Sequence, residues 1–126
     1  MGPPVLPTDA ELEILAILWD KESATVREVH DMIAARRPVA YTTTLKLMQI
    51  MVAKGLVERD TAERSHVYRA RIPRERTQGA LVQDLLDRAF GGSAWDLVQH
   101  ALARERATPA ELRRIRKLLR QMEEGS

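Results

Sequence analysis

The 126-residue chain is long enough for one domain, or for one compact domain with a short appendage. Apolar residues supply 44% and charged residues 30%, but only five residues are aromatic, so a core must come mainly from Leu, Ile, Val, Ala and Met. The absence of cysteine excludes disulfides and thiolate metal sites, and there is neither a bilayer-length apolar run nor a charged, apolar leader. A cytoplasmic protein without membrane insertion is therefore expected.

In chain order, Pro3, Pro4 and Pro7 make residues 1–7 a flexible tail. Thr8-Asp9-Ala10-Glu11 then reads as a capping box, in which the Thr8 hydroxyl accepts from the third helical amide and Glu11 reaches back to the cap amide. Leu12, Leu15, Leu18 and Trp19 follow at helical spacing, giving a first helix to about Asp20. Thr25-Val26-Arg27-Glu28 repeats the start signal for a second helix, with Val29, Met32 and Ile33 on its inner face and a stop before Pro38. A third helix runs from near Tyr41 to Gly55, a residue suited to a left-handed cap. Leu56–Arg59 and His66–Arg69 are short β-type runs around the polar turn Asp60–Ser65, the pattern of a two-stranded hairpin that packs on the helices.

Pro73 marks a boundary between residues 8–72 and a helical segment, 73–126. One helix from about Glu75 to Phe90 carries Leu81, Leu85 and Ala89 in a row, with Val82 and Leu86 beside it. A second follows Gly91-Gly92, a helix stop and hinge, with Ser93 as cap and Trp95, Leu97, Val98, Ala101 and Leu102 within it. The last opens with the capping box Thr108-Pro109-Ala110-Glu111, proline standing at the first helical position, and carries Leu112, Ile115, Leu119 and Met122 at three- and four-residue steps. Trp19 and Trp95 are read as core anchors.

The third helix has two faces when turned by about 100° per residue. Thr44, Leu47, Met48 and Met51 gather on one side, and Thr42, Lys46, Gln49 and Ala53 on the other. The outward strip suits the major groove: Lys46 for guanine acceptors or phosphate, Gln49 for adenine, and a Thr methyl for thymine, with Thr42 and Thr43 at the amide-rich helix start. Any surface helix shows such residues, and it is the order of elements that singles this one out. Three helices followed by a basic-edged hairpin make a winged helix-turn-helix, in which Arg64 at the tip and Arg59 and Arg69 on the strands reach phosphates or simply solvent. Net charge is only +2, yet Arg36 to Arg59 holds five bases against Glu58 alone, while Asp9 to Asp31 holds seven acids against Lys21 and Arg27.

The run ILAILWD at Ile14–Asp20, Thr25–Val29, Tyr41-Thr42-Thr43, Lys54–Val57 and Tyr68 together resemble the BlaI/MecI family of penicillinase-type repressors. The likeness continues through Leu85–Gly92 and Thr108–Met122 and so covers the chain from about Thr8 to Met122. It implies a mostly α fold with a small β-hairpin, a winged helix-turn-helix followed by a helical dimerisation domain, and a homodimer that binds a dyad operator and represses transcription. It also implies induction through a membrane sensor-protease, with cleavage in the C-terminal region, here about His100 and Ala101. Carried across by position, Thr42, Thr43 and Lys46 fall at the groove-facing start of the recognition helix. Three departures stand out: Ile50 where the family often has arginine, Glu63 before Arg64 where glycine is common, and Val98–Leu102 without the Asn-Phe pair at which some members are cut. Related copper sensors use a Cys-x-Cys motif, which this chain lacks.

The row Leu112, Ile115, Leu119 and Met122, with Leu81, Leu85 and Leu86, supplies apolar surface for joining two chains, against the alternative of packing within one. Coupling two recognition helices raises the effective concentration at the second half-site, so anything that loosens this segment releases DNA. No cofactor or metal is expected, since His30, His66 and His100 lack the spacing of a metal site, and no nucleophile elbow, P-loop or paired-carboxylate pattern marks an enzyme. A winged-helix activator and a protein-binding adaptor are the alternatives.

Overall fold

The computed structural model describes residues 6–62, 64–103 and 107–125. Glu63 at the wing turn, and Pro3 and Pro4 of the tail, lie outside the described residues. The elements are α1 (Asp9–Lys21), β1 (Ala24–Thr25), α2 (Val26–Ala34), α3 (Tyr41–Lys54), β2 (Val57–Asp60), β3 (Val67–Ala70), α4 (Arg74–Ala89), α5 (Ala94–Ala103) and α6 (Pro109–Glu124). They divide into two compact units, one ending at Leu81 and the other beginning at Val82. The fold class is the one expected: mostly helical, a winged helix-turn-helix followed by helices.

All three capping boxes form. Glu11 N–H donates to Thr8 Oγ1 at 3.2 Å and Thr8 N–H to Glu11 Oε1 at 2.8 Å; the reciprocal bonds are 3.1 and 2.9 Å at Thr25 and Glu28, and 3.1 Å each at Thr108 and Glu111. α3 starts without a side-chain cap, at Ala40, and ends at Gly55 with φ +79°. There the Gly55 and Leu56 amides turn back to the carbonyls of Val52 and Met51, both at 3.0 Å.

The hairpin is part of a three-stranded antiparallel sheet of order β1-β3-β2, with Ala24 opposite Tyr68 and Arg59 opposite Tyr68 on the other side. A two-residue strand has no periodicity to read, which is why a two-stranded hairpin was expected. Thr25 both pairs with Val67 and caps α2, so the inner edge of the wing is fastened directly to the start of that helix.

The core of the first unit joins Ile14, Leu15, Ile17 and Leu18 of α1 to Ala24, Val26, Val29, Ile33, Met48, Met51, Leu56, Val57 and Tyr68. α1 buries a wide arc because helices and sheet pack on it together, leaving Leu12 and Trp19 only half-buried at its rim. Trp19 still anchors the chain, its Nε1–H donating to the Ile72 carbonyl at 3.0 Å just before α4. On α2 the inner face is Val26, Val29, His30 and Ile33, and Met32 is turned to solvent. The buried histidine takes the place the spacing had assigned to methionine.

In the second unit, Gly91 and Gly92 adopt φ +56° and +84° and stop α4, with the Gly92 amide on the Leu86 carbonyl at 2.9 Å. Ser93 Oγ accepts from the Asp96 amide at 3.1 Å and opens α5. Trp95 does not anchor a core within the chain; it is 69% exposed. Within α5, Leu97 and Leu102 are half-buried. Among the described residues, no helix is long and apolar enough to cross a membrane.

Candidate nucleic-acid interface

α3 presents the two faces its sequence implies. Thr44, Met48 and Met51 are buried and Leu47 is half-buried, whereas Thr42, Thr43, Lys46, Gln49, Ile50 and Ala53 are exposed. The helix is fixed at its C-terminal end by Lys54, whose Nζ donates to Glu11 Oε2 at 2.8 Å. Glu11 is only 1% exposed. Burial raises its pKa most strongly as a single influence, but the Lys54 hydrogen bond and charge and the Thr8 bonds together hold it below the usual value.

Folding sorts the basic residues in a way their order along the chain does not. Arg36 and Arg37 both reach Glu13, at 3.9 and 2.7 Å, and Lys54 is taken by Glu11. Lys21 pairs with Glu28 at 3.7 Å and Arg74 with Asp20. Three of the five bases between Arg36 and Arg59 are thus tied to acids of α1. The basic stretch is not one positive face. Lys46, Arg59, Arg64 and Arg69 are exposed and have no carboxylate partner among the described residues.

The wing arginines separate as well. Arg59 stands opposite Tyr68, and Arg69, one residue on, points to the other face of the sheet opposite Glu58, whose charge offsets its own. Arg64 at the tip lines a cleft of about 280 Å³ together with Thr25, Arg27, Tyr41 and His66. The fold therefore gathers Arg64 with the N-terminal end of α3, where Thr42 and Thr43 sit, and leaves Arg69 apart.

Sequence spacing did not single out Arg27. Its guanidinium carbon lies 4.3 Å from the centroid of the Tyr41 ring, a cation–π contact. The edge of His30 meets the same ring at 5.4 Å and 82°, and His30 Nδ1 is 3.3 Å from Thr44 Oγ1. Fourteen residues separate Arg27 from Tyr41, too far for any helical or strand period to reveal the contact.

In the second unit, Leu86 and Ile115 are half-buried, and Leu85, Leu112, Leu119 and Met122 are exposed, Leu119 at 52%. Leu81, the last residue of the first unit, is half-buried. Val82, Trp95, Val98 and Leu118 are further exposed apolar residues beside that row. On α6 the apolar side is opposed by Arg113, Arg116, Lys117 and Arg120, all exposed. His100 and Ala101 lie exposed within α5, the His100 ring 5.7 Å from that of Phe90. Among the described residues no group of three or more His, Asp or Glu is placed to hold a metal ion.

The family model described as penicillinase repressor matches residues 7–121. A protein named transcriptional regulator BlaI from Mycobacterium tuberculosis is 33% identical over 119 residues, covering 93% of this chain and 85% of its own. A penicillinase repressor from Staphylococcus aureus is 23% identical over 110 residues, 87% of each chain. The family match spans both compact units and agrees with the resemblance carried by the α1, α2, α3 and wing residues. The chain belongs to the penicillinase repressor family of transcriptional regulators.

Proposed function

We propose that the chain is a homodimeric repressor that reads a dyad operator with α3 and the wing, and releases it when the C-terminal helices no longer hold two chains together. The observation that carries this reading is the exposed strip Thr42, Thr43, Lys46 and Gln49, on a helix whose opposite face is locked in the core and whose end is tied to α1. A fixed helix with short polar side chains and a cation that has no carboxylate partner among the described residues is what direct readout needs, because each base contact requires a donor held in place. Lys46 serves guanine or phosphate, Gln49 adenine, and the two threonines phosphate at the helix start. Ile50 lies beside Thr43 on the strip's edge and offers a methyl contact to thymine where the resemblance led one to expect arginine.

The exposed apolar residues of α4, α5 and α6 support the dimer, since leucines and a tryptophan left in water lose the burial that association provides, about 25 cal/mol per Å². Repression is supported by the names of the relatives, a transcriptional regulator and a penicillinase repressor. A sensor-protease acting near His100 and Ala101 would have to unwind α5 first, because proteases take extended chain.

The test is a titration of the purified protein against the DNA upstream of its own gene and a scrambled duplex, at two salt concentrations. Preference for the upstream DNA, lost with Lys46→Ala, is expected; equal weak binding to both duplexes would overturn sequence readout by α3 and favour a protein-binding adaptor.

A further inference from the structure

We infer that Arg27 is a preorganised phosphate-binding arm, which clamps a DNA backbone phosphate together with Arg64 in the cleft between α2, α3 and the wing. The inference rests on the DNA-binding reading above and adds to it a contact point on α2, outside the recognition helix. Three observations carry it. The first is that Tyr41 engages the face of the Arg27 guanidinium at 4.3 Å, and among the described residues no carboxylate pairs with the N–H groups in its plane, which suit a bidentate contact with phosphate oxygens. The second is a chain of contacts from the core that fixes this platform. Thr44 Oγ1 meets His30 at 3.3 Å, and the His30 edge meets the Tyr41 ring at 5.4 Å, which gives a buried histidine the task of positioning a surface arginine. The third is charge: Arg27 and Arg64 line one small cleft with His66 and Thr25, and no acid is among the described residues that line it. The neighbouring Glu28 is engaged by the Thr25 amide and Lys21. Two arginines facing one cleft repel each other until an anion joins them, and a phosphodiester beside α3 is the anion that DNA brings.

The experiment measures duplex affinity across a salt series for wild type, Arg27→Ala, Tyr41→Leu, Tyr41→Phe and the Arg27→Ala/Tyr41→Leu double variant, each checked for folding by thermal melting. Arg27→Ala is expected to weaken binding by about five- to tenfold on cognate and scrambled duplexes alike, and to lower the log–log salt slope by about 1, the value of one phosphate contact. Tyr41→Leu should lose part of that, Tyr41→Phe should restore it because the ring remains, and the double variant should be no weaker than Arg27→Ala. An unchanged slope, fully additive losses, or a loss confined to the cognate duplex would overturn the inference while leaving DNA binding by α3 intact. A wild type with no salt-dependent binding would overturn both readings together. A rise in wild-type melting temperature with inorganic phosphate at constant ionic strength, absent from Arg27→Ala, would reassign the cleft to a small free anion and overturn the DNA contact.

Discussion

Replacing Glu11 by Gln isolates the link that fixes the C-terminal end of α3. Glu11 serves two partners at once: Oε1 accepts the Thr8 amide at 2.8 Å, and Oε2 accepts Lys54 Nζ at 2.8 Å. Glutamine keeps an acceptor for the first and removes the charge that holds the second, turning its amide toward an ammonium that has lost its counterion. A hydrogen bond to a charged group is worth about 1.5–3 kcal/mol. The Lys54 side chain is 38% exposed and recovers some hydration, so the lower end applies, about 1.5 kcal/mol. For a cooperative unit of this size that lowers Tm by roughly 6–12 °C. The pH dependence follows from the direction of the carboxyl's shift. Burial pushes it up, but Lys54 and Thr8 prevail and leave it below its ordinary 4.5. A depressed carboxyl stabilises the fold fully above the unfolded value and loses that contribution as pH falls through the lower folded value. Thermal unfolding followed by circular dichroism should therefore show the gap between wild type and Glu11→Gln at pH 7, and show it closing at pH values well below 4.5. Equal melting at pH 7, or a gap that persists undiminished in acid, would refute the reasoning.

Lys46→Ala should narrow the difference between operator and scrambled duplex, costing about 1–3 kcal/mol of discrimination if Lys46 bonds a base; parallel titrations on both duplexes measure it. Leu119→Glu changes a residue that is 52% exposed in the single chain, so helical circular dichroism should survive while sedimentation equilibrium shows monomer in place of dimer. Gly55→Ala should cost about 1 kcal/mol in urea unfolding through its φ of +79° alone, because a Cβ there meets only Arg71 Nη1 at 3.8 Å, an ordinary contact. Trp19→Phe keeps most of the apolar contact but strands the Ile72 carbonyl, and about 0.5–1.5 kcal/mol of stability should be lost on the same urea curves.

What could be read before folding was local. The capping boxes at Thr8, Thr25 and Thr108 join residues three apart, so their letters alone specify them, and the stop at Gly55 follows from one residue's freedom to take positive φ. The inward and outward faces of α3 follow from a period that a 14-residue helix repeats nearly four times. β1 was invisible because two residues carry no period, and its partner strand lies more than forty residues away. The swap of His30 for Met32 in the core escaped because polarity argues for putting histidine outside, and only the hydroxyl of Thr44 and the ring of Tyr41 make the inside position tolerable. The charge pattern misled most. Arg36, Arg37 and Lys54 looked like part of a basic face, yet packing laid them against Glu13 and Glu11, and the exposed cations without a carboxylate partner among the described residues come from separate places in the chain. Trp95 shows the opposite case, a large apolar side chain whose burial was inferred from its type and that a single chain does not supply.

The central claim is that two chains act together on one dyad, and the most direct measurement is the mass of the complex by analytical ultracentrifugation on a duplex carrying the operator and on one carrying a single half-site. Two chains per operator duplex, with the half-site duplex bound far more weakly and Leu119→Glu binding both duplexes equally poorly, is the predicted result. One chain per operator, or equal affinity for half-site and full site by the wild type, would contradict it.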